Sequence, residues 1–324
     1  APSVPRLPQA AFEMSDRRDR LAGAVQGRGW WRLQPAPSTG ERLLLVFHPY
    51  SARITVLMPP DYRPQVRSVF DRGLDPRWSR RALAFPLTGN GPVYVGVEGA
   101  RYPLQVAVRD AAAYAASDRS HARVLYTAIG VLAGVCLVAL VFWTVLGGRV
   151  YLLYAACMAM QLGYLLCSTG EAYALPVLRL LAPFGAPGVW LVATLSTVVG
   201  VWFLLDFAEL RVRVPRASRI LEFVGAWLPL GLLVLLLLAP NKDWFPNVGN
   251  ALLLLANLLA LACLARAWQH GGRHAGTTLL AWVPLVFIST ARALQLSSGA
   301  SLAPWLEYGL PLVLAYTAVV LMLG

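Results

Sequence analysis

Seven apolar runs, each about 20 residues long, lie between Val124 and Gly324 and constrain this chain more than any other feature. They fall at roughly 124–146, 150–169, 188–209, 220–239, 248–268, 277–297 and 305–323, with short polar breaks between them. A helix of about 20 residues spans the ~30 Å hydrocarbon layer of a bilayer. No water reaches backbone N–H and C=O groups there, so such runs must close their hydrogen bonds internally as helices. Residues 124–324 are therefore expected to form a seven-helix transmembrane domain.

Charge divides the chain in two. Residues 1–120 hold 17 Arg and 10 acidic residues, whereas residues 121–324 hold only 11 Lys plus Arg and 6 acids. That contrast fits an extramembranous part followed by a membrane body whose charges are confined to loops. The formal net charge of +12 does not point to nucleic acid, because the arginines of the first part are interleaved with acids and turn residues. No nucleic-acid partner is expected. Cys136, Cys157, Cys167 and Cys263 all fall inside predicted spans, so the first part has no disulfide framework. His270 and His274 stand at i, i+4 in QHGGRHAG, a spacing that can hold a metal on a continuous helix. Two glycines separate them and no carboxylate or Cys is near, so a polar turn is the reading, and no metal or other cofactor is expected.

The loops set an orientation. The breaks after spans one, three and five carry Arg149; Arg211, Arg213, Arg216 and Arg219; and Arg266 and Arg273. The alternate breaks carry only Arg179 and Lys242. Lys and Arg are retained on the cytoplasmic side, which puts the N-terminal part outside and the C-terminus inside. Ala1 without an initiator Met is what removal of a signal peptide leaves, and a trimmed chain would look the same.

Residues 1–29 read as an irregular arm with one short helix around 10–22. From Trp30 the pattern changes to short runs rich in β-branched and aromatic residues: WWRLQ (30–34), RLLLVFH (42–48), RITVLMP (53–59), VRSVF (66–70), RALAFP (81–86), PVYVGVE (92–98) and LQVAVR (104–109). Seven short strands with Pro, Gly and Asp turns between them predict an antiparallel β-sandwich over 30–115. Ile54, Val56 and Met58 alternate with Arg53, Thr55 and Leu57, so one face of that strand is expected to be buried. The Ala-rich, helix-permissive segment 110–123, of which 116–123 is the short connector, then joins the sandwich to span one without a flexible tether, so that a movement of the sandwich would reach the first helix.

The order of these pieces resembles the bacterial seven-transmembrane receptors with diverse intracellular signalling modules, and the first part resembles their type 2 extracellular domain. The resemblance rests on GWWRLQ (29–34), LLLVFHPYSARITVLMP (43–59), FPLTGNGPVYVGVEG (85–99), RVYLLYAACMAMQLGYLLCSTG (149–170) and FAELRVRVPRASRIL (207–221). It implies an exported, jelly-roll-like sensor domain for a small-molecule ligand, carbohydrate being the favoured class, above a seven-helix relay in the bacterial inner membrane. The output implied is a cytoplasmic diguanylate cyclase (GGDEF), histidine kinase or phosphatase, working as a homodimer, and no such module lies before Gly324. Within these residues no catalysis is expected.

Among the aromatics of the first part, Trp30, Trp31, Tyr50, Tyr94 and Tyr102 read as core or cross-strand pairs. Tyr62 and Trp78 lie in predicted loops and are the candidate ligand-stacking residues. Arg292 is the one basic residue well inside a span; it is expected to pair with Glu307 or Glu171, or to extend its stem to the headgroups. If Arg292 and Glu307 line an outward-open pocket, they are the second candidate ligand site. Arg211, Arg213, Arg216 and Arg219, flanked by Asp206, Glu209 and Glu222, form the candidate cytoplasmic interface, toward membrane lipid or an effector. Pro229, Pro284 and Pro311 can kink spans four, six and seven. The competing readings are a membrane-anchored binding scaffold, a transporter and an intramembrane enzyme. No predicted span holds a His, Asp206 is the only Asp within one, and no internal repeat is visible. An intact mass well above 35.2 kDa from the native membrane, with the excess beyond Gly324, is the expected result for a receptor carrying its own output. A mass of 35.2 kDa would point to a separate effector.

Overall fold

The computed structural model describes residue 12 and residues 19–21, 28–36, 40–49, 52–89, 91–100, 103–239, 244–297 and 303–323. Tyr50, Tyr102 and Lys242 lie outside these residues, as does most of the arm expected to hold a short helix. Where that helix was expected to end, Arg20–Leu21 instead form a strand, because their backbone pairs with Leu104 and Gln105.

Among the described residues eight antiparallel strands come first: β1 (Arg20–Leu21), β2 (Arg28–Leu33), β3 (Arg42–Phe47), β4 (Arg53–Leu57), β5 (Pro64–Ser68), β6 (Ala82–Pro86), β7 (Val93–Glu98) and β8 (Leu104–Asp110). They form two four-stranded sheets, ordered β1-β8-β3-β6 and β2-β7-β4-β5. This is the strand order of a jelly roll, in which two Greek keys are folded over each other. Alternation drives it: Val93, Val95 and Val97 of β7, Ile54 and Val56 of β4, and Leu44 and Val46 of β3 meet between the sheets, together with Phe85 and Val106. Each such side chain, fully buried, contributes about 1.5–3 kcal/mol relative to exposure.

Four strands, β3, β4, β6 and β7, are buried on both faces. The unbroken apolar run of β3 turns Leu43, Leu45 and Phe47 away from the core, where Tyr114 and Trp78 cover them. In β4, Thr55 and Leu57 are also buried, at 1% and 0% exposure, so the alternation expected there holds only at Arg53. Leu57 is sheltered by Tyr94, Trp30, Tyr62 and Phe12 on the second sheet's far face.

Among the described residues nine α-helices follow: α1 (Ala111–Leu146), α2 (Arg149–Thr169), α3 (Ala186–Phe207), α4 (Leu210–Arg213), α5 (Pro215–Glu222), α6 (Leu228–Leu238), α7 (Phe245–Gln269), α8 (Arg273–Ser297) and α9 (Pro304–Leu323). Two 3-10 turns, Glu171–Ala174 and Leu178–Phe184, connect α2 to α3, and a π-helical segment, Phe223–Trp227, joins α5 to α6. Seven helices of the described residues are long and apolar enough to cross a membrane, α5 through α6 counting as one. The chain is a multi-pass membrane protein. The stretch expected as a connector, 116–123, is helical and continuous with span one, since it holds no Pro or Gly to stop α1.

The chain forms two compact units: Ala1–Ala122 with Cys167–Ala186 and Gln295–Ser301, and Arg123–Leu166 with Pro187–Leu294 and Leu302–Gly324. The second is a helical bundle held by apolar packing and by cross-helix hydrogen bonds, which lipid cannot supply. Tyr154 Oη of α2 donates to the Ala318 carbonyl of α9, and Thr317 Oγ1 donates to the Ala281 carbonyl of α8 at 3.1 Å. Of the three prolines, only Pro229 accompanies a change of helix type. Proline has no N–H for the carbonyl four residues back, that of Gly225, and the π segment lies there. Through Pro284 and Pro311 the helices continue.

Gly225 also allows a close helix approach, because a Cβ there would lie 2.8 Å from Val201 Cγ2 of α3. Gly225→Leu is expected to cost about 1–3 kcal/mol through overpacking. Thermal unfolding of the solubilised protein should show a lowered Tm, partly restored when Val201→Ala is added; an unchanged Tm would contradict the packing described.

Candidate functional site: a two-point latch

The loop from Val69 to Arg81, between β5 and β6, is built from turn formers and braced by its own charges. Ser68 N–H donates to Asp71 Oδ2 at 2.7 Å. Arg77 donates to Asp75 from its backbone at 3.0 Å and from its guanidinium at 2.7 Å, which holds the Asp75 carboxyl below the usual range. The Arg80 guanidinium donates to the carbonyls of Val69 and, at 3.3 Å, of Asp71, tying the end of the loop to its start. Burial pulls the Arg80 pKa down and the facing Glu171 opposes it.

With the loop fixed in this way, two consecutive residues reach two other parts of the same compact unit. Ser79 donates to Asp118 of α1 twice, from N–H to Oδ2 at 2.8 Å and from Oγ to Oδ1 at 2.6 Å. Asp118 is 5% exposed, and Tyr114 Oη, one turn earlier, donates to it at 3.4 Å. Tyr114 is fully buried between Trp78, with ring centroids 5.2 Å apart, and Phe47, at 6.2 Å. The next residue, Arg80, donates its N–H to Glu171 Oε1 at 3.1 Å, in the turn that follows α2. Beside it Phe70 and Tyr173 meet edge to face at 4.7 Å. Gly170 allows this approach: its φ of +86° is left-handed, and a Cβ would sit 2.4 Å from Val69 Cγ2. Hydrogen bonds to a carboxylate are stronger than neutral ones, and the buried Asp118 is costly to orphan.

The sequence candidates are distributed differently. Trp78 is a latch residue, packed on Tyr114 with the Arg77 guanidinium 5.7 Å from its ring centre. Tyr62 lies on the far face of the other sheet, 5.9 Å from Tyr94, and burial followed by Tyr94 raises its pKa. The two therefore sit on opposite sides of the sandwich. Around Tyr62 the far face presents Trp30, laid across Gly96, and Arg28, paired with Glu98 at 2.6 Å. The Arg28 hydrogen bond holds the Glu98 carboxyl below its ordinary value. Phe12 packs on Tyr94 at 5.8 Å in the same cluster. A cleft beside the latch, lined by Arg67, Leu74, Trp78 and Arg80, has about 20 Å³ of free space, room for about one water.

In the helical unit, Arg292 is half-buried on α8, with no hydrogen bond or ion pair to a described residue, while Glu307 is buried in the first turn of α9. The expected Arg292–Glu307 pair is not formed, and Glu171 serves the latch instead. Arg211 pairs with Glu222 at 3.0 Å and Asp206 at 4.0 Å, and Arg149 pairs with Asp206 at 3.2 Å. Arg213 pairs with Glu209 at 3.3 Å and donates to the His270 carbonyl at 3.2 Å. Arg216 and Arg219 are exposed. His274 packs against Phe207 at 5.1 Å, and the described residues contain no group of three or more metal-ligating side chains.

A family model described as 7TM diverse intracellular signalling matches residues 123–324. The chain belongs to this family. It is a transmembrane signalling receptor, as its seven apolar helices and the 7TM diverse intracellular signalling match together indicate. Residues 1–122, with the jelly roll and half of the latch, lie before the matched region. No curated protein and no solved structure matches the chain.

Removing the Asp118 carboxylate orphans the Ser79 donors, at a cost of about 1–3 kcal/mol. Asp118→Ala is expected to raise hydrogen exchange at Ser79 and across residues 111–122, with Ser79→Ala milder. Gly170→Val should displace the turn after α2, read as faster exchange over 171–184. Unchanged exchange in both variants would contradict the latch.

Proposed function

We propose that this chain senses a small molecule of the carbohydrate class with its jelly roll and passes the bound state through the latch into α1 and the α2–α3 connection. The seven helices then relay it to a cytoplasmic output of the diguanylate cyclase or histidine kinase type, in a homodimer. The observation that carries the reading is the pair of consecutive donors, Ser79 and Arg80, held by Asp118 and Glu171. A shift of the β5–β6 loop changes hydrogen bonds to both segments at once.

Ligand capture is assigned to the far face of the second sheet. Trp30 and Tyr62 offer apolar ring surface on which a sugar can stack, and Arg28 and Glu98 supply charged hydrogen-bonding groups at its edge. Trp78, a sequence candidate for the same role, is given to the latch, because its ring is occupied by Tyr114 and Arg77. The arginine-rich breaks at Arg149, Arg211–Arg219 and Arg266–Arg273 support an inner-membrane orientation with the jelly roll periplasmic and the C-terminus cytoplasmic.

The test is hydrogen exchange of the full chain in lipid nanodiscs, with a panel of neutral mono- and disaccharides at millimolar concentration. At least one sugar is expected to protect the turn around Tyr62 and to alter exchange over 111–122. Asp118→Asn should retain the first effect and lose most of the second. A panel without any protection would remove the carbohydrate class, and protection that never reaches 111–122 would favour a binding scaffold.

A further inference from the structure

The arginine-rich stretch from Asp206 to Glu222 is not uniform. Its three carboxylates are all engaged: Asp206 by Arg149 and Arg211, Glu209 by Arg213, and Glu222 by Arg211. Arg216 and Arg219 are left over, exposed and with no hydrogen bond or ion pair to a described residue. They stand three apart on α5, so their side chains lie on neighbouring positions of one helix face. The same face continues as Ile220 and Phe223, 56% and 59% exposed, and on to Trp227, 56% exposed, while Ser218 and Leu221 turn inward. Trp227 meets Trp202 of α3 edge to face at 6.4 Å.

Along the span Pro215–Leu238 this stripe begins with two cations and becomes wholly apolar within about two turns. A bare phosphate would use the guanidiniums and leave the apolar stripe idle, and a neutral lipid would do the reverse. A ligand with a phosphate diester at one end and acyl chains at the other matches both, since guanidinium forks phosphate oxygens and the chains can lie on Ile220, Phe223 and the Trp202–Trp227 pair. We infer that Arg216 and Arg219, with Ile220, Phe223 and Trp227, form a binding site for an anionic phospholipid. Arg211 and Arg213 brace the turn through their own acids and take no part.

The experiment is native mass spectrometry of the detergent-solubilised full chain titrated with phosphatidylglycerol and with phosphatidylcholine of the same acyl composition. Phosphatidylglycerol is expected to bind about tenfold more tightly to at least one position. Arg216→Gln/Arg219→Gln should remove that preference, while Arg63→Gln, an exposed arginine of the β4–β5 turn, should keep it. Inorganic phosphate at ten millimolar should not displace the lipid. Equal affinity for the two lipids in the unsubstituted protein overturns the inference. Displacement by phosphate makes the site one for a free anion and also overturns it. A double variant that keeps its preference places the lipid elsewhere and leaves the arginine pair to a protein partner.

Discussion

The junction at the start of the helices depends on carboxylates reaching backbone donors that a loop cannot satisfy by itself. A thirteen-residue connection between two strands ordinarily points its N–H groups at water; here Asp118 and Glu171 take two of them. Neither acid belongs to the sandwich. One comes from the early turns of α1 and the other from the residue after Gly170, yet both fall within the compact unit that contains the strands. The loop is stiff enough to make this attachment meaningful because Asp71, Asp75 and Arg80 close its interior first.

The sheet beneath follows the same economy of covered faces. An isolated jelly roll has two outer faces that can be polar, and the sequence of β3 would then alternate. RLLLVF does not alternate, and Tyr114 is the reason, since it gives Leu43, Leu45 and Phe47 a dry environment. The aromatic face of the other sheet is only partly covered, which leaves Trp30 and Tyr62 half-exposed.

Much of this was legible in the residues. Spans of 20 apolar residues have one physical solution in a bilayer, and the alternation of β7 reads directly as a strand. Strand order was not legible, because β1 pairs with β8 and β2 with β7 across most of the domain, and no local pattern encodes a partner about 60 to 85 residues away. Trp78 looked available because it sits in a loop, but loop position does not guarantee exposure when a helix packs on the loop. In the sequence Glu171 stands out only as a partner for Arg292. Asp118 carried a faint signal, an acid one turn after Tyr114 in the small and polar first turns of α1, but the acceptor's distant donor was invisible. In the arginine-rich turn, spacing alone made four residues equivalent, whereas packing separates the two that are neutralised from the two that are not.

Ser79 and Arg80 are neighbours, and only the φ and ψ of Ser79 separate their two N–H groups. Turning the backbone there to release one acceptor disturbs the other donor as well, so the two attachments are closely coupled. The chain length between them therefore has no tolerance. A residue inserted at the loop's exposed tip, near Arg72 and Gly73, would be absorbed in solvent. One inserted between Ser79 and Arg80 would put α1 and the α2–α3 turn out of step.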